Sequence, residues 1–124
     1  MPRSSKRVAV AEDDSPTRRV IALALQADGF DVCEAANGGE LLDLVFNRSS
    51  DGRFDLIISD VRMPVATGVE VVVALRQMDC TLPVILMTAF GDDSLEDASA
   101  RLGVRVLHKP FDLDDLRLAA RLLT

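Results

Sequence analysis

Phe54-Asp55-Leu56-Ile57-Ile58-Ser59-Asp60 is an apolar run closed by a carboxylate, and Val61-Arg62-Met63-Pro64 follows it at once. From Leu56 to Ser59 the run is continuous, the pattern of a central parallel strand buried on both faces. Open α/β sheets place their chemistry at the C-terminal tips of such strands. Three further strand-like runs also end in reactive groups. Val8-Ala9-Val10-Ala11 leads into Glu12-Asp13-Asp14, Val84-Ile85-Leu86-Met87 into Thr88, and Val104-Arg105-Val106-Leu107 into His108-Lys109-Pro110. Carboxylates, a hydroxyl and an amine are thereby predicted to meet at one edge of one sheet.

Helical patterns lie between the strand runs. The first strand covers residues 7–11, and Ser15 then reads as an N-cap with Pro16 at the first helical position. That helix carries Val20, Ile21, Leu23, Ala24 and Leu25 and stops near Asp28-Gly29, where glycine accepts the left-handed cap conformation. Residues 30–35 form a shorter strand, Asn37-Gly38-Gly39 a turn, and Leu41, Leu42, Leu44 and Val45 fill a second helix. For residues 67–78, Val71-Val72-Val73 prefers a strand, whereas the alternation and Ala74-Leu75-Arg76-Gln77 favour a helix. Pro83 opens a strand through Met87. Leu95, Ala98 and Leu102 share one helical face, and Gly103 ends that helix. Residues 104–107 make a fifth strand, and Asp112 caps a last helix with Leu113, Leu116, Ala120 and Leu123 inward. Five βα units with short links predict a doubly wound α/β fold: a five-stranded parallel sheet with helices on both faces and right-handed crossovers.

At 124 residues the chain reads as one domain, 1–124, with residues 1–6 a flexible lead. An apolar share of 48% beside 27% charged residues marks a folded rather than a disordered chain. The net charge of −6 argues against direct nucleic-acid contact, which needs a positive stripe. No apolar run reaches membrane-spanning length, and no charged-then-apolar leader opens the chain. Cys33 falls in a strand pattern and Cys80 in a loop, a spacing that suits neither a metal nor a redox pair. Two unpaired thiols point to a reducing, cytoplasmic compartment.

Glu12, Asp13 and Asp14 repel one another, so their cluster calls for a counter-charge. A hard cation such as Mg²⁺, with water or phosphate completing its shell, is one reading. Acids interacting with a helix dipole are the other. Asp60 brings a further carboxylate to the same place and favours the cation. Lys109 follows an apolar strand, and Pro110 aims its side chain along the sheet edge; the bond between them is a candidate for a cis peptide. Thr88 is either a β-branched strand residue or a hydroxyl placed to donate to a phosphoryl oxygen. His108, the only histidine, falls out of phase with Lys109 and is assigned a structural or surface role. A carboxylate nucleophile, a divalent ion, a lysine and a hydroxyl together read as a phosphoryl-transfer site.

In Glu12-Asp13-Asp14, Asp60 with Met63-Pro64 and Gly68, Thr88-Ala89, and Lys109-Pro110-Phe111, the sequence resembles the receiver domain of bacterial two-component response regulators. The motifs keep their order across essentially the whole chain. The resemblance implies a flavodoxin-like sheet of strand order 2-1-3-4-5 with five helices. It implies that Asp60 accepts a phosphoryl group from a phosphohistidine of a sensor histidine kinase or phosphotransfer protein, or from a small phosphodonor. Asp13 would bind Mg²⁺ directly and Glu12 through water, with Asp60 and the backbone carbonyl of Arg62 completing the protein ligands. Counting from Ser15 and Arg18 leaves Asp14 outside that set. Lys109 would pair with the carboxylate and then with the phosphoryl group; Thr88 would bond to it and shift inward. A downstream output domain or protein would read the change, and the chain would be no enzyme beyond its own phosphorylation and dephosphorylation.

Receiver domains commonly carry Tyr or Phe three residues before the lysine, as a partner to the threonine. Val106 stands there in this chain, which has no Tyr or Trp. The segment 103–109 is also one residue shorter than usual. Phe90 and Arg62 flank the entry of attacking water, at positions that tune phosphate lifetime in this family, so a bulky Phe90 is expected to slow hydrolysis. On the last helix Leu118 and Leu122 lie opposite the inward stripe and face solvent. Both readings of them stay open: scattered surface leucines, or a partner face on the fourth-helix to fifth-helix side for homodimerisation or output contact.

Three rival functions fit less well. A Mg²⁺-dependent phosphohydrolase with Asp60 as nucleophile needs an acid or base two residues on, where Arg62 stands. A nucleotide-binding domain needs a Gly-rich turn after the first strand, where the three acids stand. A degenerate receiver acting only as a binding module is at odds with intact Asp60, Thr88 and Lys109.

Overall fold

The computed structural model describes residues 5–46, 54–89 and 95–124. Phe90, the first four residues of the expected lead and the side chain of Ala98 lie outside what it describes. Strands and helices alternate as β1 (Arg7–Ala11), α1 (Ser15–Ala27), β2 (Asp31–Ala35), α2 (Gly38–Phe46), β3 (Leu56–Asp60), α3 (Gly68–Gln77), β4 (Val84–Ala89), α4 (Leu95–Leu102), β5 (Arg105–Lys109) and α5 (Leu113–Leu123). All strand pairs are parallel, in the order β2-β1-β3-β4-β5. This is the doubly wound sheet that the alternation predicts.

Successive side chains leave a strand on opposite faces, so the sheet has two cores. Val8, Val10, Leu56, Ile58, Ile85 and Met87 pack against Ile21 and Leu25 of α1 and Leu116, Ala119 and Ala120 of α5. Ala9, Ala11, Ile57 and Leu86 pack against Leu41 of α2, Val71, Val72 and Leu75 of α3, and Leu95 of α4. Each fully buried large aliphatic contributes about 1.5–3 kcal/mol relative to exposure. Every residue of β3 is buried, which makes it the centre of the sheet.

Several element starts differ from the sequence reading. Asp14, not Ser15, caps α1: its carboxylate accepts from the Thr17 backbone N–H at 3.1 Å and from the Thr17 hydroxyl. A charged acceptor suits the positive end of the helix better than a hydroxyl. Those bonds hold the Asp14 carboxyl below its ordinary 3.8. Only one stripe of α1 is inward, so Ile21, Ala22 and Leu25 are buried while Val20 and Leu23 are half exposed.

The expected Asn37-Gly38-Gly39 turn is instead the opening of α2. Asn37 accepts from the Glu40 N–H at 2.9 Å, and Glu40 reaches back to the Ala36 N–H at 2.8 Å. α3 is a helix despite its valines, because Thr67 and Glu70 form a reciprocal capping box and Val71 and Val72 are buried on the sheet. β5 runs on through His108 to Lys109, and the Lys109-Pro110 bond is cis. Asp112 stands at the N-cap position of α5 without a side-chain cap bond. Gly29 and Gly103 follow α1 and α4 at φ of +94° and +68°, the conformation that glycine permits.

The end of α1 is clasped to α5. Arg117 donates to Asp28 through Nε at 2.8 Å and through Nη2 at 2.5 Å. These bonds hold the Asp28 carboxyl below its ordinary 3.8. A depressed folded pKa stabilises above the unfolded value and loses that contribution as pH falls through the folded one. Asp28→Asn is therefore expected to lower stability at neutral pH and to flatten its decline in acid, read as urea midpoints across pH. Parallel pH profiles for parent and variant would count against this account.

Candidate functional site

Alternation along the strands sorts the predicted site residues. Glu12 continues the row of Val8 and Val10, Asp60 the row of Leu56 and Ile58, and Lys109 follows Leu107, all towards α1 and α5. Lys109 Nζ lies 3.3 Å from Glu12 Oε1 and 3.3 Å from Asp60 Oδ2. Glu12 is 2% exposed and Asp60 7%, whereas Asp13 is exposed. One carboxylate oxygen each from Glu12, Asp13 and Asp60 lies within 4.8 Å of the others. Asp14 turns away to cap α1.

Burial raises the Glu12 carboxyl above its ordinary 4.5, helped by its hydrogen bond with Asp13 and the charge of Asp60; the Asp14 N–H and Lys109 oppose the rise. Burial alone would lower the Lys109 ammonium, but the charges of Asp60 and Glu12 outweigh it and hold the pKa above the ordinary 10.5. The lysine is therefore a fixed cation between two buried acids.

The β3–α3 connection is built on close backbone approach. Val61 N–H donates to Met87 O at 2.9 Å, and Gly68 N–H donates to Val61 O at 2.9 Å. A Cβ on Gly68 would lie 2.5 Å from the Asp60 carbonyl oxygen, so only glycine lets α3 start there. A Cβ on Gly38 would lie 2.2 Å from Ala66 O, so the start of α2 presses on the same loop. Val65 sits between these contacts at φ +74°, a conformation that costs a β-branched residue about 1–3 kcal/mol. Arg62 is exposed between the buried side chains of Val61 and Met63.

Thr88 is buried on the other row, continuing Val84 and Leu86 towards α3 and α4. Its register partner on β5 is His108, and Val106 packs at the edge of the same core. The structure thus joins Glu12, Asp13, Asp60 and Lys109 and sets Thr88 at a neighbouring strand end on the opposite face. The period-two pattern of β4 carries that distinction once its register with β3 is known.

Two further residues escape the sequence reading. Arg18 of α1 donates through Nη1 to the Glu12 carbonyl at 2.8 Å and through Nε to Glu34 Oε1 at 3.1 Å. The second Glu34 oxygen accepts from Arg19. Beside Lys109 a groove of about 420 Å³ opens between α1 and the start of α5, lined by Thr17, Val20, Ile21, Pro110, Phe111 and Leu113. Val20, half exposed, forms part of its wall.

An open, all-parallel α/β sheet carrying an acid–lysine centre at the carboxyl edge of its strands is the class that fold and site define. The chain belongs to the response regulator receiver domain family, whose profile matches residues 8–121. It is 33% identical to the response regulator receiver protein CpdR of Brucella abortus, over 90% of each chain. It is 38% identical to the transcriptional regulatory protein PrrA of Mycobacterium tuberculosis over 91% of its own length, yet spans about half, 47%, of that protein. Among solved structures it is similar to response regulator TrrA from Thermotoga maritima in complex with Mg²⁺-BeF, at a TM-score of 0.82 and 29% identity over 96% of this chain and 99% of that one. Membership makes the chain a phosphoacceptor switch of two-component signalling. Among the described residues no helix is long and apolar enough to cross a membrane.

Proposed function

We propose that Asp60 is the phosphoacceptor of this switch, with Lys109 and Thr88 handling phosphoryl charge and Glu12, Asp13, Asp60 and the Arg62 carbonyl holding Mg²⁺. The observation that carries the reading is Lys109 Nζ at 3.3 Å from both Glu12 and Asp60 beside three converging carboxylates. An Asp60 carboxylate oxygen attacks phosphorus, the bond from phosphorus to the donor imidazole nitrogen breaks, and the imidazole leaves with the electron pair. The product is an acyl phosphate, and water later returns carboxylate and inorganic phosphate. Lys109 keeps an ion pair throughout, first with the carboxylate and then with the phosphoryl oxygens. Thr88 donates its hydroxyl to a phosphoryl oxygen after an inward shift from the α3/α4 face, and that shift transmits the change.

An all-oxygen donor set suits a hard cation, and the related TrrA is described with Mg²⁺-BeF. When bound, Mg²⁺ supplies positive charge that offsets the acids and the phosphoryl oxygens. The donor is a phosphohistidine on a sensor kinase or phosphotransfer protein, and an output domain or protein reads the result. Leu118 and Leu122, 48% and 66% exposed on α5, are the partner face for that output or for a second copy. The free thiols Cys33 and Cys80 suit a cytoplasmic setting. The domain turns over no metabolite.

Incubation with acetyl phosphate and Mg²⁺ is expected to add one phosphoryl group by intact mass, and a chelator is expected to prevent it. Steady phosphate release from diverse monoesters would instead establish the phosphohydrolase, and no uptake under any condition would establish a degenerate binding module.

A further inference from the structure

We propose that Arg18 and Glu34 are positioning residues for the cation site, acting through the peptide group that joins Glu12 to Asp13; the inference rests on the Mg²⁺ reading above. β1 ends at Ala11, so Glu12 and Asp13 lie past the last residue of the strand. The Glu12 N–H is held by Ala35 O at 3.1 Å. Its carbonyl is held by Arg18 Nη1 at 2.8 Å, and Arg18 is itself oriented by Glu34 at 3.1 Å through Nε. Both backbone bonds lead to the end of β2. The clasp therefore ties the acid turn to the neighbouring strand.

Asp13 is exposed, so core packing does not orient it. Beyond its hydrogen bond with the Glu12 side chain, its direction follows the peptide plane ahead of it, and the carbonyl of that plane is the atom Arg18 holds. The task needs an arginine: its planar fork spans a carbonyl and a carboxylate at once, whereas a lysine presents a single point charge. Arg18 and Glu34 together carry no net charge, although Glu34 also accepts from Arg19, so the pair itself adds little net field at the acids. Its action on the cation is geometric.

Geometry and charge make opposite forecasts for Arg18 and different ones for the double variant, while both weaken binding in the Glu34 variant. Through charge alone, Arg18→Gln removes a cation and tightens Mg²⁺ binding, Glu34→Val weakens it, and the double variant resembles the parent. Through positioning, each single variant weakens Mg²⁺ binding, and the double variant is no weaker than Arg18→Gln, since both break one clasp. Loss of groups that orient metal ligands typically costs 10–100-fold in affinity, so a weakening of roughly tenfold is expected.

The chain has no Trp or Tyr, so isothermal titration calorimetry with Mg²⁺ alone is the suitable readout, run well below each melting temperature. A tenfold rise in Kd for both single variants, with no further rise in the double, supports the proposal. An unchanged or tighter Kd in Arg18→Gln overturns it, even where the melting temperature falls, because a merely structural clasp would do only that. Should Arg18→Gln fail to fold, Arg18→Lys decides the same question, since it keeps the charge and loses the fork. A parent that binds Mg²⁺ while Arg18→Lys binds it equally well sinks this inference alone. A parent that binds no Mg²⁺ sinks the metal reading and this inference with it.

Discussion

Asp60→Asn is expected to take up no phosphoryl group from acetyl phosphate and Mg²⁺ under conditions in which the parent is expected to take up one. The amide keeps the shape of a side chain that is 7% exposed at the tip of a fully buried strand, so the site around it should persist. What it would lose, on the proposed function, is the nucleophile. A second consequence separates this account from misfolding. The Glu12, Asp13 and Asp60 oxygens gather within 4.8 Å, so removing one negative charge relieves repulsion. The variant should be at least as stable as the parent without Mg²⁺, yet gain less from the ion. By linkage the parent gains about 1.4 kcal/mol when free Mg²⁺ is ten times its Kd. Intact mass and denaturant midpoints with and without Mg²⁺ read both effects. A phosphoryl group retained by the variant would move the acceptor to another carboxylate.

Lys109→Met carries the second large effect. The methionine keeps an apolar stem against Pro110 and Phe111 but leaves Glu12 and Asp60 without their shared cation. Breaking a fully buried pair costs several kcal/mol, but Lys109 is 36% exposed, which reduces the expected loss to about 1–2 kcal/mol. The sign with pH follows from Glu12, whose folded pKa already lies above 4.5 and rises further without the lysine. A raised carboxyl destabilises fully above its folded pKa and ceases to do so below its unfolded value. The deficit of Lys109→Met should therefore shrink as the medium becomes acidic. Phosphoryl uptake should slow by about 10²-fold, the usual cost of one lost charge-stabilising donor. Urea midpoints at two pH values and a mass time course test this. An unchanged uptake rate would remove Lys109 from the transfer step.

The placement of the Asp60 carboxylate was legible because strand tips are legible. Leu56 to Ser59 is too continuously apolar to lie anywhere but the sheet centre, so Asp60 had to fall at its end. The same logic placed Glu12, Thr88 and Lys109 at one edge, and helical periodicity turned Leu118 and Leu122 outward. The cap of α1 lies one residue before the Ser15 that the sequence favours, because Asp14 and Ser15 both have oxygens that can cap and only the backbone decides between them. The third helix was legible against the preference of its valines, through the βα alternation and Ala74-Leu75-Arg76-Gln77.

Sequence alone determined the βα order, the burial of the central strands and the chemistry gathered at their tips. Those properties follow from side-chain type and from spacing within a strand or a helical turn. Tertiary structure alone decided that Thr88 faces away from Asp60, that Gly38 must admit Ala66, and that Arg18 grips both Glu12 and Glu34. Strand register, backbone approach and contacts across element boundaries set these, beyond the reach of the period within any one strand or helix. Lys109 and Glu12, 97 positions apart and bonded at 3.3 Å, show the distance involved. Local periodicity has no access to such pairs; only the packed sheet brings them together.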